Sequence, residues 1–250
     1  VEGDDVKSSA GIPEGPKRRL AVGVVAPFDL ELDAELWRWL PDGVDLLMTR
    51  TPYVDDAVTV EFALEISDEA DLQSGVRSVI AGRADTVVYA CTSASFVRGR
   101  AGEAALRDAM LRAGARAALT TSGAIVEALG ALGARRVSVA TPYLPELSAY
   151  LDGFLGEHGV EVLRHDALGL DHEIWEVDYA RTAELIRAVD HPDAEAIVVS
   201  CTNLPSYDLI APLERELGKP IVSANQATMW AVLRELGLAA VGPGQHLIGA

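Results

Sequence analysis

The sequence predicts an α/β protein built from two similar domains, each a parallel sheet covered by helices. The two are related by a pseudo-two-fold axis, with the active site in the cleft between them. Three observations carry this. Short continuous apolar runs such as Leu20–Ala26 (LAVGVVA) and Ala196–Ser200 (AIVVS) alternate with amphipathic stretches, as expected of strands buried on both faces. The chain also repeats itself. Val-Val-Ala-Pro-Phe at 24–28 returns as Val-Ala-Thr-Pro-Tyr at 139–143, and Val-Val-Tyr-Ala-Cys-Thr-Ser at 87–93 returns as Val-Val-Ser-Cys-Thr-Asn at 198–203. Finally, 250 residues with 49% hydrophobic and 24% charged side chains leave room for two small domains and a sizeable core.

Residues 1–19 are polar, contain Gly11, Pro13, Gly15 and Pro16, and read as a flexible tail. The first strand, Leu20–Ala26, ends at Pro27. A helical stretch follows at Leu32–Leu40 and a strand at Val44–Thr49. Asp68–Ala81 has helical spacing, with Leu72, Val76, Val79 and Ile80 on one face. Thr86–Ala90 is a strand that delivers Cys91; Gly102–Ala113 is a helix, Arg116–Leu119 a short strand and Ala124–Leu132 a helix. The pattern then restarts. Arg136–Ala140 is a strand, Leu144–His158 a helix stopped by Gly159, and Val160–His165 a strand. Tyr179–Val189 is a helix, and Ala196–Ser200 a strand that delivers Cys201. Tyr207–Leu217 is a helix stopped by Gly218, Pro220–Ser223 a strand and Ala227–Leu236 the last helix. The domains expected are 20–119 with 224–250, and 120–223.

Acidic residues outnumber basic ones 38 to 21, for a net charge of −17. Nucleic acid and anionic membranes are repelled at long range and are not expected partners. No run approaches the ~18–20 apolar residues of a membrane span, and no secretory signal is visible, so a cytoplasmic protein is expected. No phosphate-binding glycine loop and no metal-ligand spacing is present, so no cofactor and no metal are expected.

Two cysteines without nearby histidines do not make a zinc site, and a disulfide is not expected without export. Cys91 and Cys201 instead sit at equivalent places in the repeat, each after a strand. Ligands of open parallel sheets bind at the carboxyl ends of strands, so two facing domains bring both thiols to one cleft. Each cysteine is expected to begin a helix, where free N–H groups and the dipole lower a thiol pKa. The turns Cys91-Thr92-Ser93 and Cys201-Thr202-Asn203 offer small hydroxyls and N–H donors suited to a carboxylate. Tyr143 adds a phenol. A carboxylate held this way stabilises an enediolate, which permits chemistry at the neighbouring carbon.

Thr-Ser-Ala-Ser-Phe-Val-Arg-Gly (92–99), Thr-Pro-Tyr (141–143) and Ser-Cys-Thr (200–202), in this order and spacing, resemble the maleate cis-trans isomerase and arylmalonate decarboxylase branch of the aspartate/glutamate racemase superfamily. The resemblance runs from about Leu20 to Leu238. It implies two flavodoxin-like domains, catalytic Cys91 and Cys201, and a small carboxylate held by Thr92, Ser93, Tyr143 and Thr202, with Pro27, Phe28 and His172 lining the pocket. It also implies a homodimer or homotetramer. Similarity to the decarboxylases implies one cysteine, matching Cys201, and Gly at the other place. Two cysteines favour an isomerase or racemase.

The chain departs from the maleate isomerases at Pro27-Phe28-Asp29-Leu30 and Gly169-Leu170-Asp171-His172, where those enzymes carry asparagines. Phe28 implies a less polar pocket, and Asp29 or His172 would read an amino or other cationic group. His158 and His165 read as structural or solvated, Trp37 and Trp39 as packing or subunit contacts, and Arg98 and Arg100 as surface or subunit residues. Trp175 lies near His172 in a loop-like segment and would pack or close over the cleft. Three functions therefore compete: an isomerase or racemase of a small carboxylic acid, a decarboxylase using Cys201 alone, and a small-acid binding protein without turnover.

Overall fold

A computed structural model describes residues 17–250; residues 1–16, most of the expected tail, lie outside the described residues. Lys17–Arg19 are exposed, yet Arg18 pairs with Asp85 at 2.6 Å and Arg19 with Asp45 at 3.2 Å.

The first sheet contains β1 (Leu20–Ala26), β2 (Val44–Arg50), β3 (Thr86–Tyr89) and β4 (Ala118–Thr120) in the order β2-β1-β3-β4. The second contains β5 (Arg136–Thr141), β6 (Glu161–Ala167), β7 (Ala196–Val199) and β8 (Ile221–Ser223) in the order β6-β5-β7-β8. Every pair is parallel, and the two orders are the same order. This is the duplicated α/β architecture that the sequence predicts, and it follows from strands with no polar face: Val22, Val24 and Val25 of β1 are all fully buried.

The helices are α1 (Asp33–Trp37), α2 (Val60–Glu65), α3 (Glu69–Ala81), α4 (Thr92–Phe96), α5 (Gly99–Arg112), α6 (Thr121–Leu132), α7 (Pro145–Glu157), α8 (Tyr179–Ala188), α9 (Tyr207–Leu217) and α10 (Ala224–Glu235). Side-chain caps set several starts. Asp68 accepts from Ala70 and Asp71 N–H at α3, and Ser223 with Gln226 forms a capping box at α10. Helix α3 lies close on β1 because glycines face it from both sides. A Cβ at Gly23 would sit 2.7 Å from Val79, and one at Gly75 2.7 Å from Val25. Helices α6 and α10 pack on each other, and α10 also meets α1, β3 and β4. One core therefore runs from Val22, Val24 and Val88 through Ile125, Leu129, Met229 and Leu233 to Val137, Val139 and Val198.

Two local features differ from the sequence expectation. Helix α2 was not foreseen; it carries Phe62 and leads to Ile66. Cys201 does not begin a helix. Six residues separate β7 from the Ser206 cap of α9, and the backbone at Cys201 is left-handed, with φ +93°. Cys91, by contrast, is the extended N-cap residue of α4, with φ −138°.

Candidate active site

Strands β1, β3, β5 and β7 end in Pro27, Cys91, Tyr143 and Cys201 within a few residues, and all four residues line one narrow cavity of about 20 Å³. Thr92, Ser93 and Thr202 line it too. Seven of the nine residues singled out in the sequence are thus brought together. Phe28 and His172 are not among them. They line an adjoining outer cavity of about 480 Å³, together with Tyr53, Trp175 and the acidic residues Asp55, Asp56, Asp171 and Glu173. Asp29, Val58, Phe62 and Ile174 belong to both walls. The Val58 N–H donates to the Asp171 carbonyl at 2.8 Å, which ties the 51–59 segment to the 168–178 segment beside the passage.

Cys91 is held by its turn. Ser95 Oγ lies 2.7 Å from the Cys91 carbonyl and from Ser122 Oγ, and the Ser122 hydroxyl donates to the Thr92 carbonyl at 3.0 Å. The Cys91 sulfur lies 3.7 Å from Ser93 Oγ and meets the Ala94 N–H. Tyr89, whose hydroxyl donates to the Ile66 carbonyl, also borders it.

Cys201 is held from the other lobe. Glu35 of α1 accepts from the Ser206 and Tyr207 N–H groups at 2.8 and 2.7 Å and from Asn225 Nδ2 at 2.8 Å. That same Asn225 nitrogen donates to the Thr202 carbonyl at 3.0 Å. Asn203 clasps the β1 exit, accepting from Glu31 N–H and donating to the Asp29 carbonyl, both at 2.9 Å. The Asn203 N–H donates to Cys201 Sγ at 3.4 Å, and the Tyr143 phenol hydrogen-bonds the same sulfur.

Burial pushes the Cys91 thiol up to about 11 and the Cys201 thiol up to about 12, against the lowering effect of the Ala94 and Asn203 N–H groups. The nearby Asp29 carboxylate adds to both shifts. The expectation of depressed thiol pKa values is therefore wrong: desolvation exceeds what a few amide donors return. Burial likewise keeps the Tyr143 phenol protonated, so it is a donor. Asp29 is itself raised by burial.

One polar atom in the cavity has no partner. Thr92 is 1% exposed, and its Oγ1 makes no hydrogen bond among the described residues. A buried hydroxyl left open is free to donate to a ligand or a water. Thr92, Ser93 and Tyr143 are neutral donors in a lining that they share with Cys91 and Cys201. Val58, Phe62, Ile66 and Ile174 add apolar surface to the lining.

Of these lining residues, Val58, Phe62, Ile66 and Ile174 were not foreseen from the sequence. The spacing of Thr59 before Val60, Ala63 and Ile66 was an available signal for α2, since Thr59 caps it by accepting from the Phe62 N–H at 3.2 Å. Among the described residues, no cluster of three His, Cys, Asp or Glu side chains fit for a metal occurs, and no helix is long and apolar enough to cross a membrane.

Residues 68–248 match the family described as arylmalonate decarboxylase. The chain is 38% identical to an arylmalonate decarboxylase from Bordetella bronchiseptica over 150 residues, which are 58% of this chain and 62% of that protein. The matched stretch thus spans a little under two thirds of that relative. Among solved structures, a glycine-to-cysteine, cysteine-to-serine variant of arylmalonate decarboxylase in a liganded form superposes with a TM-score of 0.84 at 29% identity, covering 91% of this chain and 98% of that one. A cysteine-to-serine variant of the Nocardia farcinica maleate cis-trans isomerase, with a covalently bound succinylcysteine intermediate, gives a TM-score of 0.79 at 26% identity over 92% and 98% of the two chains.

Proposed function

The chain belongs to the arylmalonate decarboxylase family, and from that premise we propose that it is an isomerase or racemase of a small carboxylic acid that works through two cysteines without a cofactor. The observation that carries the proposal is the single cavity shared by both thiols and the unpartnered Thr92 hydroxyl. In this reading the substrate carboxylate accepts hydrogen bonds from Thr92, Ser93, Tyr143 and Thr202, which stabilise the enediolate as charge moves onto it.

Both thiols are protonated at rest, so one must release its proton to water before the chemistry starts. In the racemase version that thiolate removes the proton next to the carboxylate, and the opposite thiol delivers its own proton to the other face. The roles of the two sulfurs are then exchanged, and no net proton is consumed. In the cis-trans version the Cys91 thiolate adds to the double bond while Cys201 protonates the neighbouring carbon. Rotation follows, Cys201 takes a proton back, and the carbon–sulfur bond breaks to return the Cys91 thiolate. The succinylcysteine seen in the Nocardia farcinica isomerase supports this second course.

The test is an NMR screen of small mono- and dicarboxylates in D₂O. Deuterium is expected at the carbon beside the carboxylate with the native chain, and its incorporation is lost with Cys91→Ser or with Cys201→Ser. Undiminished incorporation in both variants would sink the two-cysteine reading.

A decarboxylase reading is favoured by the apolar wall of Val58, Phe62, Ile66 and Ile174, which would strip water from a departing carboxylate. Carbon dioxide release from phenylmalonate that survives Cys91→Ala would select it.

A further inference from the structure

Four residues line both cavities: Asp29, Val58, Phe62 and Ile174. Asp29 is the charged one, so whatever reaches the cysteines passes a carboxylate. That carboxylate has little company. Its side-chain donor is Asn203 Nδ2 at 3.5 Å, and Arg50 acts on it only through space. Neither cavity is lined by Lys or Arg. His172 is the basic residue present, and it is paired with Asp171 at 3.1 Å.

The inner cavity also offers donors suited to a carboxylate. Thr92 Oγ1 is buried without a partner there, beside Ser93 and the Tyr143 phenol. A ligand that satisfies both residues carries one negative group for Thr92 and one positive group for Asp29. A second carboxylate placed at Asp29 would meet a like charge in a poorly solvated site, which is costly. Beyond Asp29 the outer cavity offers rings. Phe28 packs edge-on against Tyr53 at 5.1 Å and Phe62 at 6.0 Å, and Trp175 lies on the same wall. The rim residues Asp55, Asp56 and Glu173 carry the same sign as Asp29.

We propose that this site takes a monocarboxylate bearing an amine, with its ammonium group against Asp29 and a ring-sized apolar substituent in the outer cavity, and that Asp29 turns dicarboxylates away. The proposal rests on the inner cavity being a carboxylate site. It narrows the two-cysteine chemistry to a substrate whose reacting carbon carries an amine rather than a second acid.

Calorimetric binding at neutral pH, with 2-amino-3-phenylpropanoate (each enantiomer) and phenylmalonate as probes, tests it on the native chain, Asp29→Asn and Asp29→Glu. The amino acid is expected to bind the native chain about tenfold more tightly than the dicarboxylate, a difference well within the reach of one charge contact. Asp29→Asn should reverse the order, and Asp29→Glu should keep it, with circular dichroism showing that each variant is folded. Equal or tighter binding of phenylmalonate by the native chain, an unchanged order in Asp29→Asn, or no binding of the amino acid at millimolar concentration would overturn the proposal. Binding is read without turnover. Absent deuterium exchange would therefore strike the two-cysteine chemistry alone, whereas exchange confined to dicarboxylates and indifferent to Asp29→Asn would strike this proposal alone.

Discussion

Removing Glu35 should loosen Cys201 although the two residues never touch. Glu35 is 8% exposed and accepts from two N–H groups at the start of α9, from the amide of Asn225 and, at 3.4 Å, from the Ser206 hydroxyl, which water can replace. Glu35→Ala leaves the two backbone N–H groups without an acceptor and one of the two Asn225 amide hydrogens unpaired, the other staying on the Thr202 carbonyl. A buried donor without a partner costs about 1–3 kcal/mol. Water can reach the space left by the side chain, so the low end applies and the total is about 3 kcal/mol. For a chain of this size about 2–4 °C of melting temperature is lost per kcal/mol, giving a fall of roughly 6–12 °C. Glu35→Gln is the sharper variant. Its amide can still accept from the Ser206 and Tyr207 N–H groups, but its NH₂ then faces Asn225 Nδ2, donor against donor. Turning the Asn225 amide over relieves that clash and gives its unpartnered Oδ1 a donor, at the expense of the bond to the Thr202 carbonyl. Glu35→Gln should therefore cost only about 1 kcal/mol of stability, one neutral hydrogen bond, while the Cys201 turn loses a tether. Thermal denaturation reads the first effect, and the rate of Cys201 alkylation in a Cys91→Ser background reads the second. An Ala variant melting within about 2 °C of the native chain, less than 1 kcal/mol by the same scale, together with an unchanged alkylation rate, would refute the anchoring role.

Four further outcomes follow from the cavity. With Cys91 near 11 and Cys201 near 12, only roughly 1 thiol in 10⁴ is ionised at pH 7, so iodoacetamide alkylation should climb with each pH unit to beyond pH 10; a plateau between pH 7 and 8 would contradict it. Because both folded thiols hold their protons longer than unfolded ones, the folded state binds more protons above about pH 8.5, and stability should fall as pH rises from there toward 11–12. Asp29→Asn removes the negative charge that raises both thiols, so the alkylation curve of each single-cysteine variant should move to lower pH; a curve that stays in place would show that burial alone sets the thiols. Thr92→Val replaces a buried hydroxyl that has no partner, so the fold should lose no stability, whereas turnover should fall about 10²-fold as one carboxylate donor disappears; a lowered melting temperature with unchanged turnover would reverse that assignment.

The parts of the site that were legible in the sequence are those carried by the repeat. Pro27, Cys91, Tyr143 and Cys201 all follow continuous apolar strands, and strand ends in a parallel sheet converge by topology. The walls contributed by the 51–67 and 168–178 segments were not legible, because they lie outside the repeat and meet only through tertiary contacts such as Val58 N–H to Asp171. Glu35 was hidden for the same reason: its partners lie 171 to 190 positions away. The two cysteine turns looked alike at three residues and diverge afterwards. Thr-Ser-Ala-Ser-Phe after Cys91 can form a helix at once. Leu204-Pro205 after Cys201 cannot, since a residue before proline is pushed out of the helical region, and α9 waits until Tyr207. The thiol pKa values went the wrong way because a helix start can be read from local sequence, whereas the depth of a cavity cannot.

That divergence has an energetic consequence which separates the two cysteines. At Cys201 the backbone has φ +93°, a region that L-residues with a Cβ enter at a cost of about 1–2 kcal/mol and glycine enters freely. At Cys91 the backbone is extended at φ −138°, where a Cβ costs nothing and glycine adds only unfolded-state entropy. Comparing Gly with Ala at each position removes the sulfur from both sides and leaves the backbone difference. Cys91→Gly should be less stable than Cys91→Ala by about 0.5–1 kcal/mol, and Cys201→Gly more stable than Cys201→Ala by up to about 1 kcal/mol, the relieved strain less the same entropy cost. Calorimetric melting of the four variants measures both differences. If they carry the same sign, the left-handed turn at Cys201 is not a cost the fold bears, and its retention there needs no functional reason. Opposite signs mean that the chain tolerates a strained backbone at one strand end only, the one where a non-glycine side chain has to point its sulfur into the cavity.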